Sequence, residues 1–282
     1  MTNITAIQRA KPLIDFLDDN VMSNFTELIK KYYNVRIFYL ISFPRSGNGW
    51  IRYMITEALL QNKGVNLQNS QRSIYTHNNI KAHSIVTQTG HSYGIEEFFP
   101  DFYAIDQTKL DYNYFENFLN KNNRNVYIKT HHLIFRKDVK IVYLYRNPKD
   151  TFISYFNLEN LSDPLFRDEL YKDDFVNFFK QSIKIYNNVY ERMFKFYLNK
   201  INLNYQNVLL IRMEDIIKDG FEYFRKLLHF FEINSSYSDM RNILTRNPKI
   251  VSTKIGLEEF WDKELDNLIS NSINCYVGNY FD

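Results

Sequence analysis

The chain has 282 residues, 45% hydrophobic and 24% charged, with a formal net charge of +3. This is a globular composition, long enough to bury a full core, and its near-neutral charge argues against a nucleic-acid or anionic-membrane partner. A single cysteine, Cys275, excludes an intrachain disulfide and fits a reducing compartment.

The opening segment MTNITAIQRAKPLIDF lacks the long apolar core of a signal peptide. No run reaches the ~20 apolar residues of a transmembrane helix. These features predict a soluble, cytoplasmic protein without a membrane partner. There is no internal repeat and no linker rich in Pro, Gly or Ser, so one domain over 1–282 is the simplest organisation.

In chain order, the first apolar run covers 36–43 and reads as a strand. It leads into SFPRSGNGW, a glycine-bearing turn followed by an apolar stripe of Trp50, Ile51, Met54, Ile55, Ala58 and Leu59. That stripe has helical period. Strand, turn and helix start together form the layout of an anion-binding loop, because the first N–H groups of a helix have no internal acceptor. Gly47 and Gly49 permit close backbone approach. Arg45 supplies a forked cation, Ser46 a hydroxyl and Trp50 a flat aromatic face. An ordinary strand-to-helix turn would also satisfy this stretch alone. The Gly-Lys-Ser/Thr of nucleotide triphosphatases is missing, which disfavours a kinase or hydrolase on a related sheet.

Residues 65–124 are mixed, aromatic and poorly periodic.

A second strand, 125–129, ends in KTHH. Side chains alternate along a strand, so Lys129 and His131 share one face. Histidine titrates near neutrality and can take a proton from a nucleophile. No His or Cys cluster with metal-ligand spacing accompanies it, so no metal is predicted. The third strand, 139–145, runs into RNPKDTFISYF. Asn147 suits an N-cap, Pro148 the first helical position and Asp150 the first turn. Arg146 and Ser154 are placed to converge on a second phosphate, although Arg146 alone equally fits a surface ion pair. Further apolar stripes run from Phe175 to Phe194 and from Phe221 to Phe231, with a fourth strand at 207–211 between them. Strands alternating with helices imply a parallel α/β sheet, with ligands beyond the strands' carboxyl ends.

Taken in order, SFPRSGNGW, KTHH and YRNPKDTFISYF resemble the sulfotransferase family that uses 3′-phosphoadenosine 5′-phosphosulfate (PAPS), over roughly residues 36 to 260. The resemblance implies a P-loop-kinase-like α/β fold: a central parallel sheet flanked by helices. It implies transfer of a sulfuryl group from PAPS, leaving 3′-phosphoadenosine 5′-phosphate (PAP), to a hydroxyl or amine of a small-molecule acceptor such as a natural product.

By position, Ser46, Gly47, Asn48 and Gly49 would wrap the 5′-phosphate, and Trp50 would stack on adenine. Arg45 stands where many members carry a catalytic lysine. Arg146 and Ser154 match the 3′-phosphate pair, and Lys129 and His131 match Lys-x-His, with His131 as general base. Lys254 would assist at the 3′-phosphate. In such a fold residues 65–124 would form loops over the active site, with His83, His91, Tyr93 and Phe98 as candidate acceptor-binding residues and Phe99, Phe102 and Tyr103 as further rings. Glu96, Glu97 and Asp101 would favour a cationic acceptor such as an amine or guanidinium alkaloid. Scattered loop and core positions explain each of them singly as well. Gly49 replaces a usual Thr, and Met213 stands where a Tyr commonly precedes Glu-Asp. These departures keep a non-catalytic nucleotide-binding protein as an alternative.

Overall fold

The computed structural model describes residues 13–77, 80–102, 124–160, 172–247 and 261–269. Its centre is a four-stranded parallel sheet. The strands are β1 (Arg36–Ser42), β5 (Asn125–Thr130), β6 (Lys140–Tyr145) and β7 (Val208–Arg212), in the order β5-β1-β6-β7. These are the four strands expected from the apolar runs, with ends shifted by a residue or so. β1, β5 and β6 are buried along nearly their whole length, as the middle layer of an α/β sandwich requires.

The period-two geometry of a strand explains how continuous apolar runs feed two cores. On one face lie Ile37, Tyr39 and Ile41 of β1, Val126 and Ile128 of β5, and Ile141, Tyr143 and Tyr145 of β6. They pack under α1 (Asn20–Tyr32), α3 (Pro148–Asn160), the long α4 (Lys172–Asn202) and α8 (Lys263–Ile269). Phe38, Leu40, Tyr127, Val142 and Leu144 point to the other face. There they meet α2 (Asn48–Asn62), α5 (Met213–Lys218), α6 (Gly220–Phe230) and α7 (Tyr237–Arg246). One buried hydroxyl pair shows how this interior meets polar atoms. The Tyr39 hydroxyl lies 2.8 Å from Thr26 Oγ1, which donates to Met22 O, removing the cost of an unmet buried hydroxyl.

The segment predicted to form loops holds a second, antiparallel sheet instead. β2 (Gln71–His77) pairs with β3 (Ile80–Val86), and β3 with β4 (Ser92–Gly94). The cue was Asn78-Asn79 between two runs rich in β-branched residues, a turn composition flanked by strand composition. Irregular polar insertions masked the alternation. The hairpin packs against α2, where Ile85 and Ile95 join the second core. Among the described residues, no helix is long and apolar enough to cross a membrane.

The sheet order fixes where a ligand sits. From β1 the chain next enters the sheet at β5, on one side; from β6 it moves to β7, on the other. β1 and β6 are neighbours, so their outgoing connections diverge and leave a crevice beyond their carboxyl ends.

Candidate active site

Residues 43–47 leave β1 and enter α2 over that crevice. Arg45 has φ 69° and Gly47 φ 96°. Gly47 is the N-cap of α2 in the left-handed region. A Cβ there would lie 2.6 Å from Met213 Cε, so both dihedral and space demand glycine. Met213 is thus a prop under the loop: it is buried and follows β7 directly. Gly49 is exposed, with open space where a Cβ would stand. Asn48 Nδ2 donates to Ser42 Oγ at 2.8 Å, tying the helix start to the strand end. Ser46 is buried and its hydroxyl has no partner.

Trp50, half-buried in the first turn of α2, donates Nε1–H to Asn247 O at 2.9 Å. Asn247 is buried; its Oδ1 accepts from Arg72, whose guanidinium lies 4.4 Å over the Tyr53 ring. This brace fixes the indole and had no sequence signature, since Arg72 and Asn247 are 175 positions apart.

Arg146 closes β6. Its carbonyl accepts from Tyr190 on α4 at 2.5 Å, and the next N–H, of Asn147, donates to Glu214 Oε1 at 2.9 Å. The Asn147 carboxamide accepts from Lys149 N, the expected turn-opening bond. Arg146 Nη2 contacts Asp150 Oδ2 at 3.3 Å, while its Nε is buried without a partner. Arg45 Nε donates to Ser154 Oγ on α3 at 3.0 Å. Burial, and after it the charge of Arg146, holds the Arg45 guanidinium below its ordinary value. Two arginines therefore converge on a helix start beside the unpaired Ser46 hydroxyl, a cluster that calls for an anion.

The end of β5 is organised differently. Lys129 Nζ, 5% exposed as a residue, donates to Asp101 Oδ2 at 2.6 Å and to His131 Nε2 at 2.6 Å. His131 Nδ1–H donates to Ser42 O at 2.6 Å. The imidazole is thereby neutral, with its proton on Nδ1. Burial first, and Lys129 second, push its pKa down to about 3. Burial also lowers the Lys129 ammonium, opposed mainly by Asp101. Phe16 covers the ring at 5.3 Å between centroids. His132 is buried against Phe16 and Phe102.

Arg45, Ser46, Gly47, Asn48, Gly49, Trp50, Arg146 and Ser154 thus gather at the β1–β6 crevice, with Lys129 and His131 beside it. Lys254 lies outside the described residues. The four candidate acceptor residues occupy different settings. Phe98 is buried in the second core, because its neighbours Ile95 and Phe99 anchor that turn of chain inward. His83 meets the Tyr53 hydroxyl at 3.4 Å, and Tyr93 packs 6.4 Å from Phe98. His91 is exposed in the tight turn that joins β3 and β4. The carboxylates expected to attract a cation have internal partners. Glu96 holds Arg52 at 2.6 Å, Glu97 accepts from Gly94 N, and Asp101 holds Lys129.

No curated protein matches the sequence. Among solved structures, mouse sulfotransferase SULT7A1 complexed with PAP is similar at 16% identity and a TM-score of 0.49, over 86% of this chain and 85% of that one. Sulfotransferase STF9 from Mycobacterium avium is similar at 12% identity and a TM-score of 0.46, over 96% and 83%. A complex of retinol dehydratase with androsterone and PAP matches at 13% and 0.47, over 87% and 82%. Residues 37–249, which span all four parallel strands and both arginine-bearing loops, match the sulfotransferase domain family, and the chain belongs to that family.

Proposed function

We propose that this protein transfers the sulfuryl group of PAPS to a hydroxyl or amine of a small-molecule acceptor, with His131 as general base. The observation that carries this reading is the convergence of Arg45 and Arg146, from two strand ends, on the start of α2, where Ser46 Oγ and Arg146 Nε are buried without partners. Unmet buried donors are costly, and a phosphate-bearing ligand relieves them. Arg146, with Ser154 within reach of the same crevice, suits the 3′-phosphate. Ser46 and the first N–H groups of α2 suit the 5′-phosphosulfate, and Trp50 offers its braced face to the adenine.

PAPS supplies the sulfuryl group and a phosphate leaving group. Sulfuryl transfer in line between two such atoms is served by positioning and by fixed cations near the bridging oxygen. Arg45 and Lys129 fill that role. The bond from sulfur to the acceptor atom forms as the bond from sulfur to the leaving phosphate oxygen breaks, and the acceptor's proton passes to His131 Nε2. For this, the acceptor must replace Lys129 at Nε2. The Ser42 carbonyl, which accepts from Nδ1–H, steadies the imidazolium that results.

The internal partners of Glu96, Glu97 and Asp101 remove the ground for a cationic preference, so the acceptor class is a small molecule with a nucleophilic hydroxyl or amine. The test is calorimetric binding of PAP. Wild type should bind, and Arg146→Ala should lose about 100-fold or more, as expected when charge-assisted hydrogen bonds of ~1.5–3 kcal/mol each are removed. Absence of PAP binding by wild type would overturn the reading. Binding without transfer to any nucleophile would leave a nucleotide-binding protein.

A further inference from the structure

The mechanism leaves one ionised group beside the reacting centre without a task. Asp101 stands at a parallel bridge to Lys129, on the edge of β5 that no strand covers among the described residues. Its place is set by backbone and charge together. Lys129 N donates to Pro100 O at 2.9 Å. Asp101 N donates to Glu96 Oε2 at 2.7 Å, and the other Glu96 oxygen holds Arg52. Arg52 is buried on α2, and its Nε donates to Phe99 O at 2.9 Å. The helix that opens at the anion loop therefore also pins the carboxylate behind Lys129.

Four groups then stand in line: Asp101 Oδ2, Lys129 Nζ, His131 Nε2–Nδ1 and Ser42 O, with each link 2.6 Å. An ammonium has three protons. One goes to Asp101 and one to His131, and the third is left for a sulfuryl oxygen. Without the carboxylate, a buried lysine sheds its proton readily. It would then lose both its charge toward the bridging oxygen and its fixed rotamer beside the base. The other charges that bear on Lys129 are Arg52 and Glu96, and His132 bears on His131.

We infer that Asp101 is a positioning residue for sulfuryl transfer, which keeps Lys129 charged and aligned and, through Lys129, keeps His131 Nε2 proton-free and in place until the acceptor takes the position of Lys129 at that atom. This rests on the sulfotransferase reading above. In a merely structural role, the same contacts would brace the edge of β5 without affecting proton chemistry.

The experiment compares wild type, Asp101→Asn and Asp101→Glu. PAP binding is measured by calorimetry, turnover by release of PAP from PAPS with phenols or water as acceptors, and the charge states directly by NMR of 13Cε-lysine and 15N-histidine protein. In wild type, Lys129 should remain an ammonium and His131 a neutral Nδ1–H tautomer at pH 7.5. In Asp101→Asn, Lys129 should titrate at least about one pH unit lower, because an opposing charge within hydrogen-bond range is removed. The alkaline limb of the turnover profile should move with it, and kcat should fall about 10- to 100-fold. The PAP Kd should stay within about threefold, since PAP lacks the sulfuryl group. Asp101→Glu should restore most of the alkaline limb.

An unmoved limb and an unmoved Lys129 titration, with only the melting temperature lowered, would overturn the proposal. So would a neutral Lys129 in wild type at pH 7.5, which is decisive even if Asp101→Asn fails to fold. Failure of wild type to bind PAP would sink the underlying reading instead, so the two failures are distinguishable.

Discussion

The ends of β5 and β6 carry cations of similar appearance in the sequence, KTHH and YRNPKD, yet the fold uses them in opposite ways. At β6, Arg146 is held by its backbone: Tyr190 and Glu214 fix the peptide groups at 146 and 147, leaving the guanidinium with one loose contact to Asp150 and an unpaired Nε. At β5, Lys129 is held by its side chain, and two of its three protons are already committed to Asp101 and His131. An anion site needs donors that are oriented yet unspent. A proton-transfer site needs donors that are spent on fixing the base. Counting cations at strand ends does not separate these cases; the partners of each donor do.

The division predicts a separation of phenotypes. His131→Ala should lower transfer by about 10²- to 10⁴-fold, the usual contribution of a positioned base, while the PAP Kd stays within about twofold. Arg146→Ala should do the reverse, weakening PAP first. If calorimetry shows that His131→Ala also abolishes PAP binding, the two strand ends are one site and the contrast fails.

A smaller effect tests the loop that joins them. Gly47→Ala forces a side chain into the left-handed region, at a cost of about 1–3 kcal/mol, and overpacks Met213, which adds a comparable cost. Urea denaturation should show a lower midpoint at unchanged slope, accompanied by weaker PAP binding as the loop shifts.

Stability at acid pH sharpens the contrast further. His131 has its folded pKa lowered from 6.5 to about 3, first by burial and then by Lys129. The unfolded chain therefore takes up this proton before the folded one. This group's contribution to stability is complete above pH 6.5 and is lost as pH falls from 6.5 toward about 3. His131→Asn should flatten that window in a pH series of melting temperatures, whereas Arg146→Ala should leave it unchanged.

Gly49→Thr gives the smallest effect. The site has open space and an ordinary backbone, so folding should be unaffected. The added hydroxyl should strengthen PAP binding by about 2- to 10-fold, the value of one net hydrogen bond.

Much of this was legible before the fold was known. The four apolar runs became the four strands of the parallel sheet among the described residues, because a strand buried on both faces must be apolar throughout. The loop after β1 and the arginine after β6 were legible because glycine, hydroxyl and arginine at a strand-to-helix junction answer local backbone demands. The small sheet at 71–94 was not, since QRSIYTH and IKAHSIV carry no regular alternation of apolar and polar residues. The burial of Phe98 was not legible for a related reason: an aromatic ring in an aperiodic segment carries no mark of which way it faces, and it packs in the core with Ile95 and Phe99.

The sequence by itself determined the α/β architecture, the order of the three loops and the identity of the groups at each strand end, because these depend on residues near one another in the chain. Tertiary structure decided which donors are free and which are committed. Asp101 meets Lys129 across 28 positions, His131 meets Ser42 across 89, and Arg45 meets Ser154 across 109. Such pairings depend on how parallel strands bring their carboxyl ends to one edge, and burial there sets both the charge of each group and its reach.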